Sequence, residues 1–183
     1  MVLLLGSCGL FGADDDGDGE EVESYFRATL NGEEAWSGKP DAAFSQQGPY
    51  LWLAIGADSV YDDFYRESLT LATPFEGPGE YTLVPVEYDT GAGGIRTAGA
   101  TFYESDDDVQ VARYRATADS SANHLTITSY DSTAGILEGR FRTTVVVAED
   151  DRISEPGEPP RRRADTLRFE EGTFRVKVRD LRK

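Results

Sequence analysis

Residues 124–147 read HLTITSYDSTAGILEGRFRTTVVV, and apolar side chains recur in them at every second position. Leu125 and Ile127 alternate with Thr126 and Thr128. Beyond a break at 131–135, Leu137, Gly139, Phe141, Thr143, Val145 and Val147 fall on one side of the chain, and Glu138, Arg140, Arg142 and Thr144 on the other. A helix would scatter this set around its circumference; a strand puts it on one face. The Asp, Ser and Gly of the break suit a short turn. The stretch therefore predicts a β-hairpin with one buried and one wet face, at the centre of an antiparallel sheet.

The rest of the chain carries the same signal in shorter pieces. At 25–30, Phe26, Ala28 and Leu30 alternate with Arg27 and Thr29, and the Asn31-Gly32 that follows is a strong hairpin signal. A return strand at 33–37 carries Trp36, and a polar loop is expected at 39–49. Residues 50–57 set Leu51, Leu53 and Ile55 against Tyr50, Trp52 and Ala54, the pattern of a strand covered on both faces. Residues 58–67 read as a loop with three aromatics and three aspartates. Further strands are expected at 68–72, 81–86, 95–103, 109–116, 166–169 and 172–178, with an acidic turn at 104–108. A long, exposed, mobile loop is expected at 149–165, where three prolines precede Arg161, Arg162 and Arg163. The last strand should lie antiparallel to 136–147, and its outward basic residues then need an acidic neighbour such as Glu138. No window shows sustained helical periodicity. About nine or ten short strands predict an all-β fold, an antiparallel β-sandwich, with a lipocalin-like closed barrel as the alternative.

The 183 residues suffice for one domain. Its 34 acidic and 18 basic side chains give a net charge of −16, which argues against nucleic acid as a partner. Lysine occurs only at Lys39, Lys177 and Lys183. An acidic, lysine-poor surface fits a high-salt habitat, where ions screen the self-repulsion, as well as ordinary solubility.

Cys8 is the only cysteine, so no intramolecular disulfide forms. It follows a short apolar run and Gly6-Ser7, which resembles the lipobox of bacterial lipoproteins, where a peptidase cuts before a cysteine that then carries lipid. Residues 1–8 are accordingly expected to be signal and anchor, 9–23 a disordered acidic tether, and 24–183 a single β domain. The tether half matches a calcium-binding EF-hand loop through Asp14, Asp16, Asp18 and Gly19, but Tyr25 stands where the bidentate Glu is needed.

Catalytic constellations are sparse. The single histidine, His124, has no Gly-x-Ser-x-Gly elbow to serve, and one His with one Cys cannot build a zinc site. The glycines at 91–94 lack the lysine of a phosphate-binding loop. Carboxylates are abundant, so a two-carboxylate glycan hydrolase stands as an alternative. Asp58, Asp62 and Asp63, or the acids at 106–108, are oxygen ligands suited to calcium, the one cofactor considered; solvated turn tips are the competing reading. Aromatic residues are the better lead. Tyr61, Phe64 and Tyr65 crowd one loop beside a strand that carries Trp52, and they either close over the core or form a platform for a sugar or a partner.

The order of these features is itself familiar: lipobox, acidic tether, Asn31-Gly32 with Trp36, then Gly79-x-Tyr81-x-Leu83. Leu125-Thr126-Ile127-Thr128 follows, with Gly139-x-Phe141 and a closing Gly172-x-Phe174. This resembles a family of bacterial lipoproteins of unknown function over roughly residues 25–180. The resemblance implies an exported β-sandwich domain and brings no catalytic residues. The expectation is a lipid-anchored envelope protein, at the outer membrane and facing the periplasm or the cell surface. It would act as a non-enzymatic binding module for a glycan or an envelope protein. A glycan hydrolase and a barrel carrier of an apolar ligand are the alternatives.

Overall fold

A computed structural model describes residues 23–47, 49–85, 97–107, 109–148 and 161–182. Cys8, all but the last residue of the acidic tether, the glycines at 91–94 and residues 149–160 of the expected long loop lie outside these residues. Ten strands follow in order: β1 (Tyr25–Leu30), β2 (Glu34–Gln47), β3 (Tyr50–Val60), β4 (Tyr65–Pro74), β5 (Gly79–Thr82), β6 (Gly99–Asp106), β7 (Val109–Ala116), β8 (His124–Asp131), β9 (Ile136–Val147) and β10 (Thr166–Asp180). The helical structure among the described residues is one 3-10 turn, Ser120–Ala122. Hydrogen bonding passes from β1 through β2, β3, β4, β6, β7, β9 and β10 and back to β1, so the sheet is ring-like. The fold is all-β, of the sandwich or barrel-like class, as the alternation predicts.

Local chemistry sets the pairings. Asn31 and Gly32 both hold positive φ, 54° and 78°, in the three-residue link that returns the chain from Leu30 to Glu34, and the Glu33 N–H closes it onto the Leu30 carbonyl at 3.2 Å. β2 does not stop at a polar loop but runs on to Gln47. Its early residues pair with β1 and its residues 42–44 pair parallel with β10. Pro40 sits between these two stretches, where its missing N–H breaks no bond to either neighbour. β10 is one strand where two were expected. Glu171, with φ 52°, is an extra residue that shifts the register against both β1 and β9. Inward positions therefore change from odd numbers (Leu167, Phe169) to even ones (Gly172, Phe174, Val176). The predicted antiparallel pairing of β9 with β10 is present, and Arg175 meets Glu138 across it at 2.5 Å.

β9 serves two neighbours on one edge. Residues 136–142 pair with β8, and Val145–Val147 with β7. Buried Asn123 spans this junction. Its Nδ2 donates to the Thr117 carbonyl at 2.9 Å, and its Oδ1 accepts from Thr143 Oγ1 at 3.0 Å and Thr144 N at 2.7 Å.

Large rings fill the interior in sequence: Tyr114 against Phe102, Phe102 against Phe169, Phe169 against Trp36, Trp36 against Phe26, and Phe26 against Phe141, with centroids 4.8–6.0 Å apart. Phe44, Phe75 and Tyr130 form a second cluster near the other end. The packing is tight at Gly139, where a Cβ would run into the Phe174 ring and the Thr126 carbonyl. Gly139→Ala should lower the unfolding free energy by about 1–3 kcal/mol in a urea titration, and an unchanged midpoint would contradict this packing.

Candidate functional site

One end of the ring gathers the buried charged residues among those described. β4 carries Glu67 and β6 carries Glu104; they lie directly opposite each other across the strand pair, both point inward, and both are almost wholly buried. Trp36 of β2, Tyr65 of β4 and Tyr114 of β7 reach the same place. The segment 161–165 crosses it from outside.

Each carboxylate is surrounded by donors. Glu67 accepts from Trp36 Nε1 at 2.8 Å and from Arg163, through Nε and, at 3.1 Å, through Nη2. Glu104 accepts from Tyr114 Oη and from the backbone N–H groups of Arg162 and Arg163, at 2.9 and 3.2 Å. Tyr65 Oη lies 2.8 Å from Glu67 and 3.0 Å from Glu104. A phenol carries one hydrogen, so Tyr65 serves one glutamate at a time, and the other keeps its remaining donors. Arg163 continues outward to Glu34 at 2.7 and 2.9 Å and to Tyr61 Oη at 3.0 Å. No buried side-chain nitrogen or oxygen among the described residues lacks a partner.

These contacts fix the protonation states. Burial raises the Tyr65 hydroxyl far above its ordinary range, and the bond to Glu67 and the charges of Glu67 and Glu104 add to this. Burial does the same to Tyr114, with its bond to Glu104. Burial opposes the charge on Arg163, but its bonds to Glu34 and Glu67 outweigh that and hold the guanidinium ionised. The bond from Arg163 holds Glu34 below the usual carboxylate range. Both phenols thus stay neutral donors and the arginine stays charged, so the cluster is built to hold charge in place.

The sequence candidates separate around this cluster. Tyr61 and Phe64 belong to the short turn between β3 and β4 and are exposed; Tyr65 opens β4 and is buried, with the Arg162 guanidinium 4.0 Å above its ring. Trp52 is buried too, but it lies outside the main core cluster, and its neighbours along β3, Leu51, Leu53 and Ile55, are the ones that join it. Asp62 accepts from the backbone N–H of Phe64 at 3.0 Å and of Tyr65 at 2.6 Å, which pins the turn, and takes Arg162 at 3.0 Å. Those bonds, the backbone ones first, hold its carboxyl below the usual range. Asp63 is exposed on the turn; Asp58 lies farther back in β3, opposite Ser68. The described residues contain no group of three or more His, Cys, Asp or Glu side chains that could hold a metal ion. His124 lies on the outer face of β8, opposite Arg142.

Sequence reasoning missed Glu67, Glu104, Tyr114 and the inward role of Arg163. The available signal was a charged residue at an inward position: Tyr65, Glu67, Leu69 and Leu71 alternate in step, as do Phe102 and Glu104. The chain matches no known protein family, no curated protein and no solved structure.

Glu104→Gln turns one of two accepting oxygens into an N–H donor that must face either Tyr114 Oη or the donors of Tyr65, Arg162 and Arg163, and should cost about 2–4 kcal/mol of stability in guanidinium unfolding; a change under about 0.5 kcal/mol would contradict the network. Glu34 gives a pH signature. Its carboxyl titrates near 4.3 in an unfolded chain and lower in the folded one, so its contribution is complete above that pH and is lost as acid passes through the folded value. The thermal midpoint of Glu34→Gln should lie below the parent's at neutral pH and converge with it in acid; a gap that does not narrow as the pH falls would contradict the assignment.

Proposed function

We propose that this protein is a lipid-anchored envelope protein, attached at the outer membrane through Cys8, that acts as a non-enzymatic binding module and docks an envelope protein. One observation carries the docking surface. Of the seven large hydrophobic residues exposed among those described, four meet at the carboxylate end: Val60, Tyr61, Phe64 and Val109. Val60 and Phe64 are 65% and 57% exposed, and the Asp107 N–H bonds the Phe64 carbonyl at 2.6 Å, which brings the β6–β7 turn with Val109 alongside. Exposed apolar groups gathered in one place mark interaction surfaces.

The neighbouring chemistry favours a protein over a sugar. Two valines flank the rings where a sugar platform would need hydrogen-bonding groups, and the Asp62 carboxylate is already committed to its own turn. Asp62, Asp63 and Asp107 rim the patch, so the fitting partner has an apolar centre and a basic surround. The hydrolase alternative requires two carboxylates facing a substrate, whereas Glu67 and Glu104 face each other out of reach of solvent. The carrier alternative requires an apolar cavity, and the described interior is packed by one continuous cluster of aromatic and aliphatic side chains. The lipid anchor rests on the lipobox-like run before the single cysteine.

A photoreactive phenylalanine analogue at position 64, introduced in intact cells, should give one discrete adduct with an envelope protein, competed away by the unmodified chain. The same group at Thr133, in the β8–β9 turn, should give none. Absence of the adduct at 64, or the same adduct at 133, would overturn the docking surface. Cys8→Ser should move the protein from the membrane fraction to the soluble one; retention in the membrane would overturn the anchor.

A further inference from the structure

The outer face of β8, β9 and β10 holds a shallow depression of about 600 Å³, the size of a small-ligand site. The strand register lines up its polar groups. Thr173 of β10 lies opposite Arg140 of β9, Arg140 opposite Thr126 of β8, and Thr126 opposite Glu80 of β5. The next row sets Arg142 beside His124. Arg142 spends one nitrogen on the Ser121 carbonyl at 2.8 Å. Arg140 is exposed and makes no ion pair or side-chain hydrogen bond among the described residues. Its guanidinium is therefore free to take an anionic group.

Its surroundings define a ligand. Thr173 accepts from Arg27 Nε at 3.3 Å, which leaves its own O–H to donate into the depression. The floor between these side chains is strand backbone: Phe141 and Gly172 are paired and both face inward, and the Phe141 ring covers Gly172 from the core side. Glu80 and Glu171 complete the wall with acceptors. An unpaired guanidinium fork, two hydroxyls and carboxylates at the margin correspond to the parts of an acidic sugar. The fork takes its anionic group, and the threonines and carboxylates its hydroxyls. We propose that this depression binds an acidic saccharide, a sugar ring bearing a sulfate or a carboxylate, independently of the patch around Phe64.

The test uses the full chain, with amide NMR titrations against a sulfated disaccharide, a uronate-bearing disaccharide, the corresponding neutral disaccharide and sodium sulfate. At least one acidic disaccharide should shift the signals of Thr126, Arg140 and Thr173 saturably, and bind about tenfold more tightly than sodium sulfate or the neutral sugar. Arg140→Gln, an exposed change that should leave the thermal midpoint unaltered, should weaken that binding about tenfold, and Thr173→Val should weaken it less. The proposal fails if neither acidic disaccharide shifts these signals. It fails equally if Arg140→Gln binds as the parent does, or if sodium sulfate binds as tightly as the disaccharides, since the depression would then hold an adventitious ion only.

Discussion

Two carboxylates opposite each other on neighbouring strands, both inside the ring, cannot leave water unless donors replace it. Much of the architecture of this end follows from that need. Trp36 closes the start of β2, Tyr65 and Tyr114 bring hydroxyls from β4 and β7, and the approach to β10 bends so that two consecutive backbone N–H groups face Glu104. Among the described residues Arg163 is the cation bonded there, and it is shared between buried Glu67 and half-exposed Glu34, so its charge links the interior to the surface. A core of rings alone would leave the segment 161–165 without a reason to dock. The glutamates give it a single position.

That rigidity bears on the surface above. Tyr61 and Phe64 stand on a turn whose backbone is held by Asp62 from within, by Asp107 from the side and by Arg163 through the Tyr61 hydroxyl. Exposed side chains on a fixed backbone lose little freedom when a partner covers them, which favours association. The depression on β8–β10 follows the same logic by other means, because its groups come from strand interiors whose register is set by the ladder.

The all-β class, the Asn31-Gly32 turn, the β8–β9 hairpin and the Arg175–Glu138 pair were legible because each depends on a period or a dipeptide. What was illegible is equally specific. Glu67 and Glu104 occupy inward positions that a hydrophobicity pattern reserves for apolar residues. The period therefore breaks off at these residues, and the expected strands 68–72 and 95–103 stop short of the observed ends of β4 and β6. The bulge at Glu171 reverses the parity of β10, so one strand read as two. Pro40 made a continuous strand look like a loop. At the candidate site, the aromatic turn could be found from its composition. Which of its rings face outward could not, because that depends on whether β4 begins at Tyr65, and the hydroxyl of that ring is held by two carboxylates, one of them on a different strand.

The pairing of β1 with β10 joins the first described strand to the last; the bond from the Arg168 N–H to Asn31 spans 137 residues. A chain made from its N-terminus can form the β1–β2 hairpin early, but the other edge of β1 stays bare until β10 arrives. Contacts of such long sequence separation slow folding, since most of the loop-closure entropy is spent before they form. Ring closure therefore waits until β10 itself has been made. Until then β1 to β9 form an open sheet, and one strand of fifteen residues decides when the edges are joined.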